Sequence, residues 1–303
     1  MKRIGLIGII MSGALALLAS AQDEVNFKTN EVGKGLYVIS GVGGFAGGNV
    51  LISTGDDGTV MIDDSVAPLL GKLREAIKKV TDQEVTFLIN THLHNDHTGN
   101  NLSFASTGAN IIGHKNVRER MAQDEERDPQ SLPLLTFTDE VSLYLNGQRA
   151  QVMHVARAHT DGDSIIYFPD ANVLHVGDIL FNGLFPFIDL DNGGSVQGYL
   201  DAQMRVLELA DEQTIIVPGH GPLARRGDLI RSHEMLIDAR QRVAKMIMNG
   251  KKEEEIVAAN PLADYHNDWS WDFITTEKMT RQLHRDLHMH GDGSHQHGEH
   301  HHH

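Results

Sequence analysis

The chain has 303 residues, of which 40% are hydrophobic, a formal net charge of -15 and no cysteine. That length and composition suffice for one large domain or two small ones, and we expect one main domain. The negative charge argues against nucleic acid or an anionic membrane surface as a partner, because phosphate binding needs clustered lysine and arginine. Without cysteine there is no disulfide and no thiolate metal ligand. We therefore expect a small-molecule partner, and any metal must bind to nitrogen and oxygen.

The N-terminus has the pattern of a secretory signal. Two basic residues precede an apolar run from Ile4 to Leu18, and the small residues from Ala19 to Ala21 follow where a signal peptidase reads. The run, about 15 residues long, falls short of the roughly 20 needed to span a bilayer. We predict a signal peptide at residues 1–21, cleaved before Gln22. The mature protein is expected in the periplasm or outside the cell, with no membrane segment.

In chain order, a β-meander comes first. Asn26 to Ile39 and Asn49 to Ile62 have strand patterns, and the turn from Gly55 to Gly58 divides the second. Pro68 to Val80 has apolar residues at helical spacing, and Val85 to Ile89 is a short apolar strand. Strand, helix and buried strand in succession indicate parallel pairing in the sheet.

The second half nearly repeats this order. Two hairpins are predicted, one around Asn146-Gly147 and one around the turn from Pro169 to Asn172. Their strands are Val141 to Leu145, Ala150 to Val155, Ser164 to Phe168 and Val173 to Val176. A helix at Gln197 to Leu209, a strand at Thr214 to Val217 and a helix at Gly227 to Met248 follow. We expect two similar halves packed sheet against sheet, with helices outside.

A dense run of metal-binding side chains follows the strand that ends at Ile89. It reads His-x-His-x-Asp-His and contains His92, His94, Asp96 and His97. Any one of these histidines could be a surface or core residue satisfied by hydrogen bonds, but that explanation is weak for the whole run. Two neighbouring metals are the natural interpretation. Imidazole and carboxylate without sulfur suit zinc best, with manganese or iron as alternatives.

The run supplies only part of two metal shells, so further ligands are expected near the ends of later strands. His159 lies just before the strand that starts at Ser164, and Asp178 follows the strand that ends at Val176. His220 follows the strand Thr214 to Val217 within Pro-Gly-His-Gly.

With these motifs in order from about Asp63 to Gly221, the chain resembles the metallo-β-lactamase superfamily. The resemblance implies an α+β fold, the αβ/βα four-layer sandwich, with residues 22–283 as one hydrolase domain that includes C-terminal helices. Asp63 matches the family's first motif, which braces the ligand loop from behind. A simple strand-end cap is the alternative for Asp63.

The resemblance also implies two zinc ions and the roles of their ligands. One zinc would bind His92, His94 and His159, the other would bind Asp96, His97 and His220, and Asp178 would bridge them. Two zinc ions roughly 3.5 to 4 Å apart can share a water and lower its pKa enough to make hydroxide near neutrality. We expect this hydroxide to attack a carbonyl, with Asp96 orienting it and passing its proton to the leaving group.

The ligands leave the substrate open. Zinc β-lactamases similar to this chain usually have Cys or Ser where Asp178 stands, whereas the thioesterase glyoxalase II has an aspartate bridge. The predicted export, and the lack of a basic cluster for glutathione, favour a β-lactamase-like hydrolase with weak lactam cleavage. A thioesterase or lactonase of glyoxalase II type is the alternative. A periplasmic zinc-binding or storage protein is another, and a redox di-iron protein ranks last because such relatives usually carry a glutamate where His94 stands.

Loops around the metals are expected to form the substrate pocket. Phe45 lies in a glycine-rich hairpin tip, and Phe181, Phe185 and Phe187 follow the bridging aspartate. Arg225 is a candidate anchor for a substrate carboxylate. A plain turn, core packing and a solvated surface arginine are the respective alternatives.

The last predicted region is a histidine-rich tail at residues 284–303. His284 and His288 are four apart on a predicted helix and could chelate zinc on one face. The tail could equally be disordered, or partly an affinity tag, and we assign it no catalytic role.

Overall fold

The structure, a computed structural model, describes residues 25–290. The predicted signal peptide at residues 1–21 and the tail beyond His290 lie outside the described residues. Two β-sheets run through the described part of the chain, one of seven strands and one of five.

The first sheet has the strand order β1 to β7. Strands β1 to β4 pair in antiparallel fashion, and β4 to β7 pair in parallel. The bounds are β1 (Asn26–Gly33), β2 (Leu36–Val42), β3 (Val50–Gly55), β4 (Gly58–Ile62), β5 (Val85–Ile89), β6 (Asn110–His114) and β7 (Leu135–Phe137). The meander and the parallel β5 agree with the sequence patterns. The first predicted strand is two strands. Strands β6 and β7 were not predicted, because β6 (NIIGH) has only two apolar side chains and β7 has only three residues.

The second sheet has the order β12-β11-β10-β9-β8, with only β11 and β12 parallel. The bounds are β8 (Glu140–Leu145), β9 (Gln148–His154), β10 (Ser164–Phe168), β11 (Val173–Phe181) and β12 (Ile215–His220). Both predicted hairpins form. In the first turn Asn146 (φ 57°) and Gly147 (φ 69°) adopt the left-handed conformation that a two-residue turn of type I′ requires.

Strand β11 corrects one prediction. It does not end at Val176 but continues through Asp178 to Phe181, with a shift in its pairing to β12 between His175 and Gly177. Gly177 has φ 50°, and a Cβ there would lie 2.8 Å from the side chain of Thr91. Glycine therefore lets β11 approach the histidine run of the first sheet closely.

Nine α-helices lie in the described part of the chain. Their bounds are α1 (Leu70–Lys78), α2 (Asn95–Thr98), α3 (Asn101–Ala105), α4 (Lys115–Met121), α5 (Val196–Leu209), α6 (Arg226–Met248), α7 (Glu253–Ala259), α8 (His266–Trp269) and α9 (Thr276–His290). Short 3-10 turns occur at Ala67–Leu69, Pro129–Ser131, Leu190–Asn192 and Ala263–Tyr265. Between residues 25 and 290, none of the helices combines the length and apolar character needed to cross a bilayer.

The two sheets face each other across a common apolar core. Leu36 and Leu51 from the first sheet meet Val152 and Val217 from the second, and all four are fully buried. Each such side chain stabilises the fold by about 1.5–3 kcal/mol. Helix α1 packs on the outer face of the first sheet, and α5 packs on that of the second. The molecule is therefore the four-layer α+β sandwich that the sequence predicts.

The C-terminal helices build a further core beside the sandwich. Buried residues of α5 to α9 meet the loop that follows β11. Helix α9 runs to His290, so residues 284–290 are helical and correct the prediction of a disordered tail from residue 284. The reason is packing, because Leu283 is fully buried in this core and Leu287 packs against it one turn further on.

Candidate metal centre

The segment after β5 presents the histidine run towards the second sheet. His94 has an extended backbone (φ -67°, ψ 146°) and caps the short helix α2, which contains Asp96 and His97. The backbone N–H of His97 donates to the carbonyl of His94 at 3.0 Å. The change from extended chain to helix separates the run, so that its first two imidazoles and its last two side chains point to neighbouring places.

The first cluster consists of three imidazoles. Nδ1 of His94 lies 3.1 Å from Nε2 of His92 and 2.9 Å from Nε2 of His159. Oδ2 of Asp178 lies 3.4 Å from Nε2 of His159 and 3.8 Å from Nε2 of His92. One atom from each of these four residues falls within a group of ligand size.

The second cluster consists of Asp96, His97 and His220. Oδ2 of Asp96 lies 3.2 Å from Nε2 of His220 and 3.6 Å from Nε2 of His97. Oδ1 of Asp178 lies 3.1 Å from Nε2 of His97 and 3.5 Å from Nε2 of His220. Asp178 therefore stands between the clusters, with one carboxylate oxygen towards each.

The hydrogen bonds of the outer imidazole nitrogens show that this arrangement fits cations. Nδ1 of His159 donates to the carbonyl of Phe187 at 2.8 Å, and Nε2 of His94 donates to Asp189 at 2.9 Å. In neutral rings, Nε2 of His159 and Nδ1 of His94 then each carry a lone pair and no proton. These two atoms lie 2.9 Å apart, so no hydrogen bond can join them. The buried Oδ1 of Asp178 also has no hydrogen bond of acceptable geometry. A divalent metal such as zinc suits nitrogen and oxygen donors placed in this way.

Asp63 lies behind the histidine run and is fully buried. Its carboxylate accepts hydrogen bonds from the backbone N–H and the hydroxyl of Thr91, both at 2.8 Å. It also accepts one from Nδ1 of His97 at 2.7 Å, which turns Nε2 of His97 towards the second cluster. The contacts of Asp63 are those of a brace for the ligand loop rather than of a strand-end cap alone.

Asp189 plays the corresponding part for His94, and sequence reasoning missed it. It lies in the loop after β11, at the start of a 3-10 turn, and it accepts hydrogen bonds from the backbone of Asp191 and Asn192 and from the Asn192 side chain. Burial acts to raise the pKa of Asp189, but the bonds from His94 and Asn192 lower it below its ordinary value. No local motif marks this residue, because it is 95 positions from its imidazole partner.

The two clusters differ in their electrostatics when only protein groups are considered. Burial lowers the pKa of His92 well below its ordinary value and that of His159 to about 4. Burial has the same tendency at His97 and His220, but the carboxylates, Asp178 first, raise the pKa of His97 well above its ordinary value and that of His220 to about 9. Protons and metal ions therefore compete for the second cluster.

The carboxylates of the centre stay ionised. Burial acts to raise the pKa of Asp178, but the surrounding imidazoles, His97 first, hold it well below its ordinary range. The same opposition brings the pKa of Asp96 to about 2. Both side chains are anions at neutral pH and available to a cation.

A cavity of about 1080 Å³ opens onto both clusters. Five aromatic side chains line it, namely Phe45, Phe181, Phe187, Trp271 and Phe273. The first three lie where the sequence predicts them. Trp271 and Phe273 show that the segment before α9 forms part of the cavity wall.

The predictions for two pocket residues, Phe185 and Arg225, are wrong. Phe185 is fully buried among the C-terminal helices, because the apolar core there takes up its ring, and it does not line the cavity. Arg225 is exposed at the start of α6, where its side chain donates to the carbonyl of Gln213 and its backbone N–H is capped by Asp228. It is a surface arginine and not a substrate anchor.

Comparison with known proteins agrees with this geometry. The model of the metallo-beta-lactamase superfamily matches residues 43–220. A type 2 metallo-beta-lactamase from Bacillus cereus is 23% identical over 212 residues, which are 68% of this chain and 81% of that protein. A hydroxyacylglutathione hydrolase from Polaromonas sp. is 29% identical over 175 residues, which are 57% of this chain and 61% of that protein.

Solved structures share the fold. A metallo-beta-lactamase from Pontibacter korlensis superposes with a TM-score of 0.60 at 19% identity, over 70% of this chain and 100% of that one. A stereoselective inverting sec-alkylsulfatase from Pseudomonas sp. superposes with a TM-score of 0.67 at 15% identity, over 88% of this chain and 51% of that one. Since the family match spans more than half of the sequence and includes all seven clustered side chains, the chain belongs to the metallo-beta-lactamase superfamily of metal-dependent hydrolases.

Proposed function

We propose that this protein is a hydrolase that works with two zinc ions and cleaves a bond at a carbonyl carbon. The observation that carries the proposal is the position of Asp178, which directs one oxygen to each of two adjacent ligand clusters. The remaining ligands would be His92, His94 and His159 for one ion, and Asp96, His97 and His220 for the other.

When bound, the zinc ions would supply a Lewis acid and a water of lowered pKa. Asp96 lines the cavity with a quarter of its side chain exposed, and its pKa of about 2 keeps it ionised. It would orient the attacking water and take up its proton. The water oxygen bonds to the carbonyl carbon, the bond to the leaving group breaks, and the proton passes to the leaving atom.

The substrate is proposed on two considerations. The predicted export and the similarity to a type 2 metallo-beta-lactamase support a β-lactamase-like hydrolase with weak lactam cleavage, acting in the periplasm or outside the cell. The carboxylate of Asp178 between the clusters, and the similarity to a hydroxyacylglutathione hydrolase, favour a thioesterase or lactonase as the second candidate.

A side-by-side assay tests the proposal. Zinc per chain is measured by mass spectrometry, and turnover is measured on a chromogenic cephalosporin, a lactone and a thioester. We expect two zinc ions per chain in the core site and turnover of at least one class, lost in Asp178→Ala and retained in the surface control Asp191→Asn. Full zinc loading without turnover of any class would instead support zinc storage.

A further inference from the structure

Part of the cavity wall comes from a segment beyond the family match. That match ends at residue 220, whereas the chain returns over the metal centre after α8. Two hydrogen bonds join the segment to Phe185. The backbone N–H of Phe185 donates to the carbonyl of Trp269 at 2.7 Å, and the carbonyl of Phe185 accepts from the indole N–H of Trp271 at 3.0 Å. This wall is therefore a fixed part of the structure.

The rings in this wall form a continuous apolar surface. Trp271 lies 6.1 Å from Phe181 and 5.5 Å from Phe273, and Phe273 lies 5.4 Å from Phe187, all between ring centroids. Val66, Ala67 and Pro68, from the chain after β4, add further apolar surface to the same cavity. A substrate chain leaving the metal centre would thus lie against apolar side chains.

The charges around the cavity disfavour an anion at that place. Of the described residues that line it, none is a lysine or arginine, and the exposed Asp272 lies at its rim. Two cations near the cavity already bind protein oxygens and are absent from its lining. Arg127 donates to the side chain of Asn95 at 2.8 Å, and Lys278, which lies 5.3 Å from the centre of the Phe273 ring, donates to the carbonyl of Phe273 at 2.8 Å. His220 also lines the cavity, but it belongs to the second metal cluster. A substrate carboxylate against Trp271 and Phe273 would lose water without gaining a lysine or arginine of the cavity lining as a partner.

We propose that Trp271 and Phe273 make the site selective for substrates whose acyl chain is apolar and uncharged, over those that carry a carboxylate at the distal end of that chain. The inference rests on the proposed function, because it assigns a substrate class to the same metal site.

Two chromogenic esters that differ only at the distal end test the selectivity. They are 4-nitrophenyl hexanoate and the mono-4-nitrophenyl ester of hexanedioic acid. For the zinc-loaded full chain we expect kcat/KM to be at least tenfold higher for the hexanoate. In Trp271→Ala and Phe273→Ala, KM for the hexanoate should rise by tenfold or more with a smaller change in kcat. The control Tyr144→Ala removes a ring that is 74% exposed in a surface strand and should change neither constant.

Asp272→Lys tests the charge at the rim without altering the aromatic wall. It should raise kcat/KM for the hexanedioate ester relative to the hexanoate by about tenfold. An unchanged ratio, or a wild-type preference for the carboxylate ester, would overturn the inference.

A binding measurement separates this inference from the proposed function. The chain has two tryptophans, so Trp269→Phe leaves Trp271 as the only indole fluorophore. Hexanophenone should quench it at concentrations at least tenfold lower than 5-benzoylpentanoate, which carries the carboxylate. If both ketones quench the fluorescence equally, or if neither does, the inference is overturned, whatever turnover the esters show. If hexanophenone binds preferentially as expected but no ester is hydrolysed, only the proposed function is overturned.

Discussion

Replacing Asp189 with asparagine tests how the protein prepares His94 for a metal. In the structure Oδ2 of Asp189 accepts the Nε2 proton of His94 at 2.9 Å, which leaves the lone pair on Nδ1 facing the first cluster. Oδ1 of Asp189 is held by the backbone N–H groups of Asp191 and Asn192 at 3.2 and 3.1 Å. The side-chain oxygen of an asparagine at position 189 would keep these two bonds, so the side-chain NH2 group would face His94. A donor in that place forces the His94 proton onto Nδ1, the atom needed for the metal.

The expected loss of zinc affinity follows from the change in the contact between residue 189 and His94. Removing a carboxylate that orients a ligating histidine typically costs 10–100-fold in metal affinity or activity, or about 1.4–2.8 kcal/mol. We expect Asp189→Asn to weaken zinc binding in this range, measured by competition with a chromophoric chelator, and to lower kcat/KM by a similar factor.

A matched variant separates the tautomer from the loop. Asn192→Ala removes the 2.6 Å hydrogen bond from the Asn192 amide to Oδ2 of Asp189 but leaves the bond to His94. It should retain zinc affinity within a few-fold of the wild type. Zinc binding by Asp189→Asn as tight as that of the wild type, or an equal weakening in Asn192→Ala, would contradict this role of Asp189.

Three further predictions concern the bridge, pH and the metal. A Cβ at Gly219 would lie 1.9 Å from Oδ1 of Asp178, so Gly219→Ala should displace the Asp178 carboxylate. Mass spectrometry should then detect less bound zinc. Gly227 has open space around it, so Gly227→Ala should keep its zinc. Burial lowers the pKa of the stacked His114 and His154 below that of the unfolded chain, so unfolding takes up protons and stability falls as the pH drops below about 6.5. His154→Gln should therefore make the fall in melting temperature with decreasing pH shallower. The same pH dependence of the melting temperature in the variant and the wild type would contradict this prediction. Chelation should lower both activity and melting temperature, and added zinc should restore them; a chelated protein with full activity would rule out a metal mechanism.

Periodic, strongly bounded segments were predictable. Val85–Ile89 appears as a strand with its predicted bounds, and the Asn146-Gly147 hairpin forms because both positions accept a left-handed backbone. By contrast, Gly177 and Asp178 interrupt the apolar run of β11, so its last residues did not have the pattern of a strand. Their place in the strand depends on contact with Thr91 of the other sheet, which is a tertiary feature.

The metal centre shows the same division. Four of its seven clustered side chains lie in one dense run and the other three lie near the ends of predicted strands, and the structure brings all of them together. Asp189 carries no such signal, because its role depends on a contact between distant loops. Phe185 and Phe187 are two positions apart and chemically identical, yet the C-terminal helices bury one and the cavity exposes the other. Only the packing of the whole chain distinguishes them.

Anomalous diffraction at the zinc edge, from crystals of the full chain grown with zinc, can test the proposal that seven side chains hold two zinc ions with Asp178 between them. We expect two peaks roughly 3.5 to 4 Å apart, one among His92, His94 and His159 and one among Asp96, His97 and His220. A single peak, or an Asp178 side chain turned away from both, would contradict it.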